Sequence, residues 1–492
     1  MLRPLVAVTA ATLLLAGCSG GDDKSSSSSD DGNNANSAST PTPSTPDLPS
    51  FDQPKAFSLV TAIAYARPDG PTELYGGKGA IVGKTAMYVN KEALHAVAID
   101  GSYSWQALSS DVKSTVTEGY TTPTAVQLDG KEVIAIAYAQ NVEAGGTQKA
   151  HGEVVFKWLD PADGKVLSTA TAVINEKIGG GVGSFDRATG QGAITVSAGG
   201  SRTAGTAVFA DPVTKKATVI PDLGVAGVSN GVVVGDQGSG QEGATNLKIA
   251  VVDGATGKVK KAIPIPAMSY LIPQTAGKTH AYIVGDGYRK TNKYGGVNVR
   301  SIFAVNFATG AMVETKRPDL ADTDDNTYDC SSDGVDAVVC RRGSSYGNEQ
   351  DEILGFDDST GKKSWEYTTK SSNRVVLDIT TVYNGYVYGK AEKLPAVLDA
   401  KTGEDVPVPA PTPSAGATPT PGETPTDGSS PGDGSTPGES TPSAAFGQPG
   451  LVWGEPQPPV SVSKYGSVYL QDGGTDAPLN TEKTLVIQKA IG

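Results

Sequence analysis

The stretch GFDDSTGKKSWEY, Gly355 to Tyr367, decides the fold. It reads as a turn between two strands of a repeated unit. The Asp357 carboxylate can accept hydrogen bonds from backbone amides of the turn. Gly361 can take a positive φ without steric cost and close a short hairpin. Trp365, on the outgoing strand, offers a large apolar face to cover the turn or a neighbouring sheet. The motif is thus expected to join the third and outer strands of a four-stranded unit.

Copies of the pattern run through the chain. An apolar run, then an Asp or Asn, then a short polar stretch that often contains Thr-Gly, recurs at Asp100, Asp160, Asp211, Asp253, Asn306, Asp357 and Asp399. A strand-like run precedes each, for example KEVIAIAYA before Asp160 and NGYVYGK before Asp399. Runs of β-branched and aromatic residues bounded by Gly, Asn and Asp are strands with hairpin turns. A repeat of roughly 40–60 residues with several strands in each period means propeller blades. No part of the mature chain sustains a 3.6-residue apolar stripe, which argues against helical repeats.

Residues 56–408 are therefore read as blades and 450–492 as the last blade. Between them, residues 409–449 form a low-complexity insertion rich in Pro, Thr, Ser and Gly. The terminal unit lacks a fourth strand, and AFSLVTAIAYA, Ala56 to Ala66, can supply it and close the ring. The expectation is an all-β propeller of four-stranded blades, eight in number, with seven as the alternative. Loops of varying length, such as GYRKTNKYGGVNVR, are where a constant frame carries its binding surface.

FDDSTGKKSW resembles the quinoprotein-type, or PQQ-like, propeller repeat, and VDGATGKVKK is a partial copy. Only Trp105 and Trp365 stand near that repeat's Trp position. Many proteins with the repeat bind no quinone, and they include exported lipoproteins and a propeller lipoprotein of outer-membrane assembly. The resemblance implies the fold, and no cofactor is expected. The quinone-dependent enzymes of the family carry adjacent cysteines, and this chain has no Cys-Cys pair.

The N-terminus reads as an address. Residues 1–17 contain a basic residue, Arg3, and an apolar run too short to span a bilayer as a mature helix. LAGC, Leu15 to Cys18, resembles the bacterial lipobox, which implies a signal peptide and lipidation of Cys18. Residues 18–55 are almost devoid of large apolar side chains over most of their length and read as a disordered tether. Cys330 and Cys340 remain as an even pair in an exported chain and are expected to form a disulfide. A tight turn at Ser331–Gly334 would put them out of register, whereas a wider loop would bring them together.

The chain has 492 residues and a formal net charge of −13. That balance, with no basic patch interleaved with aromatics, argues against nucleic acid as a partner. Two GKT tripeptides, Gly83–Thr85 and Gly277–Thr279, lack the upstream Gly and the following helix of a phosphate loop and read as hairpin turns. DTDDNTYDCSSD places Asp322, Asp324 and Asn326 at alternate positions, with Asp333 where a calcium loop has its bidentate Glu. Thr327 stands where that loop needs Gly, so no metal is expected there beyond a weak calcium candidate. His95, His151 and His280 lie far apart in strand-like runs.

Together these features describe a monomeric lipoprotein on the extracytoplasmic face of a bacterial membrane. It is read as a non-enzymatic binding platform for an envelope protein or polymer. The rivals are a propeller enzyme acting on sugars in the central channel, as a lyase or hydrolase, and a small-molecule or calcium binder.

Overall fold

The computed structural model describes residues 47–65, 79–89, 93–107, 115–198, 205–238, 246–292, 295–317, 328–343, 351–369, 374–392, 394–408, 458–471 and 484–492. Leu48–Gly492 forms one compact unit. Its strands form eight separate antiparallel sheets. Blade 1 comprises Gly79–Val82, Thr85–Val89, Leu94–Ala98 and Ser104–Ala107, from the inner strand outward. Blade 3 comprises Ile178–Phe185, Gly192–Ala198, Gly205–Asp211 and Lys216–Ile220. Blade 4 comprises Gly224–Ser229, Val232–Gln237, Lys248–Asp253 and Lys258–Pro264. Blade 5 comprises Tyr270–Ala276, His280–Asn292, Gly295–Asn306 and Met312–Arg317. Blade 6 comprises Tyr328–Ser332, Ala337–Arg342, Glu352–Asp357 and Lys362–Thr368.

The other three blades carry the irregularities. In blade 2 the inner position is shared by Thr115–Tyr120 and Thr124–Leu128, which pair successive parts of Lys131–Val142; His151–Leu159 and Val166–Ile174 follow. Blade 7 has Asp378–Tyr383, Tyr386–Ala391 and Leu394–Asp399, and its outer position is reduced to one bridge, Leu398 to Asp405. The sequence Val406-Pro407-Val408-Pro409 accounts for this, since proline cannot donate to a ladder. Pro395 likewise removes a donor from the strand this leaves at the edge.

Blade 8 closes the ring. Ser461–Ser463, Gly466–Gln471 and Thr484–Ala490 come from the C-terminal end, and Phe57–Tyr65 pairs with Thr484–Ala490 as the outer strand. The first and last parts of the chain are thereby joined in one sheet, and the inner strands touch in an unbroken circle from blade 1 through blade 8. The seven-blade alternative is excluded. The chain is also seated earlier than a tether ending at residue 55 would have it. Leu48 packs beside Val460, the Phe51 amide donates to the Lys464 carbonyl at 2.7 Å, and the Tyr388 hydroxyl donates to the Pro54 carbonyl at 2.6 Å.

The core lies between blades, in slabs rather than at one centre. Eight apolar clusters occur among the described residues, one for each junction of neighbouring blades. The second and third strands are buried on both faces and read as continuous apolar runs, such as Val133–Ala139 and Ile249–Val252. Outer strands meet water and are polar, as in Lys258–Pro264.

The repeated turn has the expected structure. All seven anchors stand between the third and outer strands. The Asp357 carboxylate accepts from the Ser359 amide at 2.9 Å and from the Ser359 and Thr360 hydroxyls. These bonds hold its pKa below the usual carboxylate value. Gly361 has φ +68° and donates its amide to the Asp357 carbonyl at 2.8 Å. In blade 3 the same position is Lys215, at φ +57°.

Trp365 binds the next blade. Its indole Nε1 donates to the Ala400 carbonyl at 2.9 Å, and its ring lies against Gly403, the positive-φ glycine of blade 7's turn. Trp105 repeats this toward blade 2, with Nε1 donating to the Pro161 carbonyl at 3.0 Å and its ring against Gly164. Ser168, Thr218 and Lys261 reach the corresponding turns from the outer strands of blades 2, 3 and 4.

Candidate binding site: the central channel and the face above it

A cavity of about 1700 Å³ runs along the axis and is lined by blades 2 to 8. Blades 2 to 7 contribute residues of their inner strands, so one end of the channel carries the turns from first to second strand and the other the loops from second to third. The inner strand of blade 3 lies close against its neighbours. Gly179, Gly181 and Gly183 in IGGGVGSF leave no space for a Cβ beside Ser197, Ile194 and Thr121, respectively.

Arg187 stands at the first-to-second-strand end of the channel. It belongs to the turn Asp186–Gly190 of blade 3, which is tightly fixed. The Asp186 carboxylate accepts from the Ala188 amide at 2.9 Å, the Thr189 hydroxyl at 2.8 Å and the Asn230 amide of blade 4 at 2.8 Å. The Gly190 carbonyl accepts from the fully buried Trp158 indole at 2.7 Å. From this base the guanidinium of Arg187 reaches across to blade 6 and touches Gly334, where a Cβ would collide with it.

Two groups from other blades act on it directly, and a third acts on one of those two. Asp333 of blade 6 and Tyr383 of blade 7 interact with Arg187 electrostatically, and Glu132 of blade 2 acts on Tyr383. Arg187 is open to water in the channel but has protein on all sides. That desolvation draws its pKa down, against the opposing pull of Asp333 and Tyr383. Burial and the Glu132 charge push the Tyr383 phenol up.

At the opposite end two hairpins rise above the ring. In blade 5, strands His280–Asn292 and Gly295–Asn306 stay paired out to Asn292 and Gly295, while their neighbours reach only Asp286 and Arg300. Residues 287–292 and 295–299 therefore form a two-stranded ribbon of roughly 20 Å. An ion pair of 3.2 Å between Asp286 and the buried Arg300 fixes its base. In blade 2 the Lys131–Val142 and His151–Leu159 hairpin also rises, with Val166–Ile174 alongside it as far as the Ile174–Gly152 pair.

The residues singled out in the sequence fall in different places. Cys18, Asp322, Asp324 and Asn326 lie outside the described residues, as does the insertion 409–449. Asp333 is buried in its own turn, and one carboxylate oxygen accepts from the amides of Val335, Asp336 and Ala337 at 2.8–3.0 Å. That use of the carboxylate is structural. No group of three or more metal-binding side chains occurs among the described residues.

Cys330 and Cys340 form a disulfide. They are directly opposite on the first two strands of blade 6, because the turn spans Asp333–Asp336 rather than closing tightly at Ser331–Gly334. Both GKT segments are strand-joining turns. His95 stacks on Tyr88, His151 hydrogen-bonds the Lys149 carbonyl, and His280 is buried against the Asp358 carbonyl. Arg187 was not found from sequence, although FDRATG repeats the turn pattern; the copy sits between first and second strands and so breaks the spacing.

No protein-family model matches the chain, and no curated protein matches it. Solved structures do. Hydrazine synthase of Kuenenia stuttgartiensis is similar at 13% identity and a TM-score of 0.35, over 59% of this chain and 79% of that one. The β-propeller domain of the Trilobed protease from Pyrococcus furiosus is similar at 13% identity and a TM-score of 0.35, over 60% and 85%. The WD40 domain of SCAP from fission yeast gives 10% and 0.35, over 65% and 82%. The assignment as an eight-bladed β-propeller rests on the strand order and ring closure themselves.

Proposed function

We propose that the chain is a lipid-anchored, extracytoplasmic propeller that acts without catalysis as a binding platform for an envelope protein or polymer. The observation that carries this is the uneven upper face, where the blade 5 ribbon and the tall blade 2 rise from an otherwise regular ring. A projecting ribbon with no neighbouring strand from its own blade offers free backbone edges to a partner. The anchor reading rests on Leu15–Cys18, and the Cys330–Cys340 disulfide supports an oxidising compartment. The Asp-x-x-Thr-Gly turns and the two Trp contacts on neighbouring blades support the resemblance to the quinoprotein-type repeat.

The test is chemical cross-linking of the full-length protein in its host, followed by purification and mass spectrometry. Two variants serve as controls, Cys18→Ala and a replacement of residues 287–299 by a two-residue turn. The proposal expects one reproducible envelope partner that disappears with the ribbon and falls in yield without the anchor. Capture that is unchanged by both variants would overturn it.

A further inference from the structure

The channel holds a cation that is open to water and donates no hydrogen bond to a described protein group. No described residue hydrogen-bonds the Arg187 guanidinium or comes within ion-pair distance of it, although it carries five N–H donors. Asp333 lies near enough to act on it electrostatically, but that carboxylate is spent on three backbone amides through Oδ1, and its Oδ2 has no hydrogen-bond partner. Lys278, one blade nearer along the ring, also lines the channel with no described partner for its ammonium. A guanidinium ringed by protein and left unpaired is an offered donor set, shaped for two oxygens of one anion. The overall charge of −13 gives no general attraction for anions, so any affinity must come from this local geometry.

The walls narrow the ligand further. Ser184, Thr275, Ser331, Ser332, Thr381 and Gln274, from blades 3, 5, 6 and 7, line the cavity with neutral hydroxyls and an amide, while Glu132, Asp222 and Asp236 add carboxylates elsewhere on the wall. Such groups match a ligand rich in hydroxyls. At the far end Tyr270 is 49% exposed in the lining, a ring face on which a sugar can pack. The volume of about 1700 Å³ exceeds what a single small molecule fills and suits the end of a chain.

We infer that the channel receives the end of an acidic oligosaccharide, with one sugar carboxylate held by Arg187 and the preceding rings against the hydroxyl-lined wall. This site is distinct from the ribbon face used in the platform reading, so either can fail alone.

The test is calorimetric titration of the full chain with trigalacturonate. Maltotriose, a triglutamate peptide and sodium sulfate serve as the neutral, peptide and bare-anion probes. Trigalacturonate is expected to bind, and Arg187→Gln to weaken it by roughly 10- to 100-fold, the loss of a charge-assisted bidentate contact. Arg187→Lys should retain part of the affinity. Tyr270→Ala, remote from the charge, should weaken binding several-fold, and circular dichroism should show each variant folded. Three results would overturn the inference: no binding to wild type, binding indifferent to Arg187→Gln, or equally tight binding of the peptide or of sulfate. The last would mean recognition of charge alone.

Discussion

Replacing Trp365 with alanine tests whether the repeated turn is a link between blades. The ring is half-buried, stacks on Tyr367 at 5.9 Å between centroids, and covers Gly403 of the next blade. Taking roughly 150 Å² of indole surface out of water corresponds to about 4 kcal/mol. The retained β-carbon and the partial shielding of the ring in the denatured chain reduce this to about 2–3 kcal/mol. Loss of the 2.9 Å hydrogen bond to the Ala400 carbonyl adds about 1 kcal/mol. Trp365→Ala should therefore destabilise by about 3–4 kcal/mol, and Trp365→Phe by markedly less.

A double-mutant cycle with Gly403→Ala isolates the contact. An added Cβ at Gly403 would meet the indole ring at 2.6 Å and also be strained by φ +71°. Only the backbone strain, about 1–2 kcal/mol, should persist once the ring is gone. The cost of Gly403→Ala should thus fall by at least about 1 kcal/mol in the Trp365→Ala background. Urea denaturation followed by near- and far-ultraviolet circular dichroism measures each corner, provided the m-value is constant. Additive losses, or a cost below about 0.5 kcal/mol for Trp365→Ala, would refute the inter-blade role.

Two further outcomes follow from individual turns. Lys215→Gly should stabilise by roughly 0.5–1 kcal/mol, because relief of a positive φ of +57° exceeds the added entropy of glycine in the unfolded chain; a raised melting midpoint checks it. Burial raises the pKa of Asp358, so the folded state holds its proton more tightly than the unfolded chain does, and ionisation lowers stability as pH rises above the ordinary carboxylate value. Asp358→Asn should consequently gain on wild type in melting temperature as pH rises above about 4, and a difference independent of pH would count against the burial account.

The sheet architecture was legible because each blade spends its residues in the same order. The anchor Asp or Asn must sit where backbone amides converge, and the residue that closes the turn takes a positive φ, usually as Gly and in blade 3 as Lys215. Those two demands leave a trace at a nearly fixed spacing even where the strands have diverged. The closing strand Phe57–Tyr65 was legible for a different reason, since the last unit offered three strands and an open edge. The cysteine register was not, because it depends on whether four residues or two close a hairpin. Channel residues left less trace still. Arg187, Asp333, Tyr383 and Glu132 come from four blades, and no local spacing relates them.

The asymmetry of the ring is what turns a repeat into a specific surface. Seven anchored turns repeat one structural role between third and outer strands, so they do not set one blade apart from another. Along the axis the blades differ. Glycines let the inner strand of blade 3 lie close against its neighbours, the turn after it sends Arg187 toward blade 6, and the Gly at 334 leaves room for the guanidinium to arrive. Gly334 itself sits at φ +79°, so its backbone also needs glycine. Two blades therefore have to be matched to place one cation. Packing between adjacent blades alone would not require that match, because blades 3 and 6 are separated by two others around the ring. A contact spanning the channel, made by a group with no hydrogen-bond partner among the described residues, is the feature that the repeat does not explain and that ligand binding does.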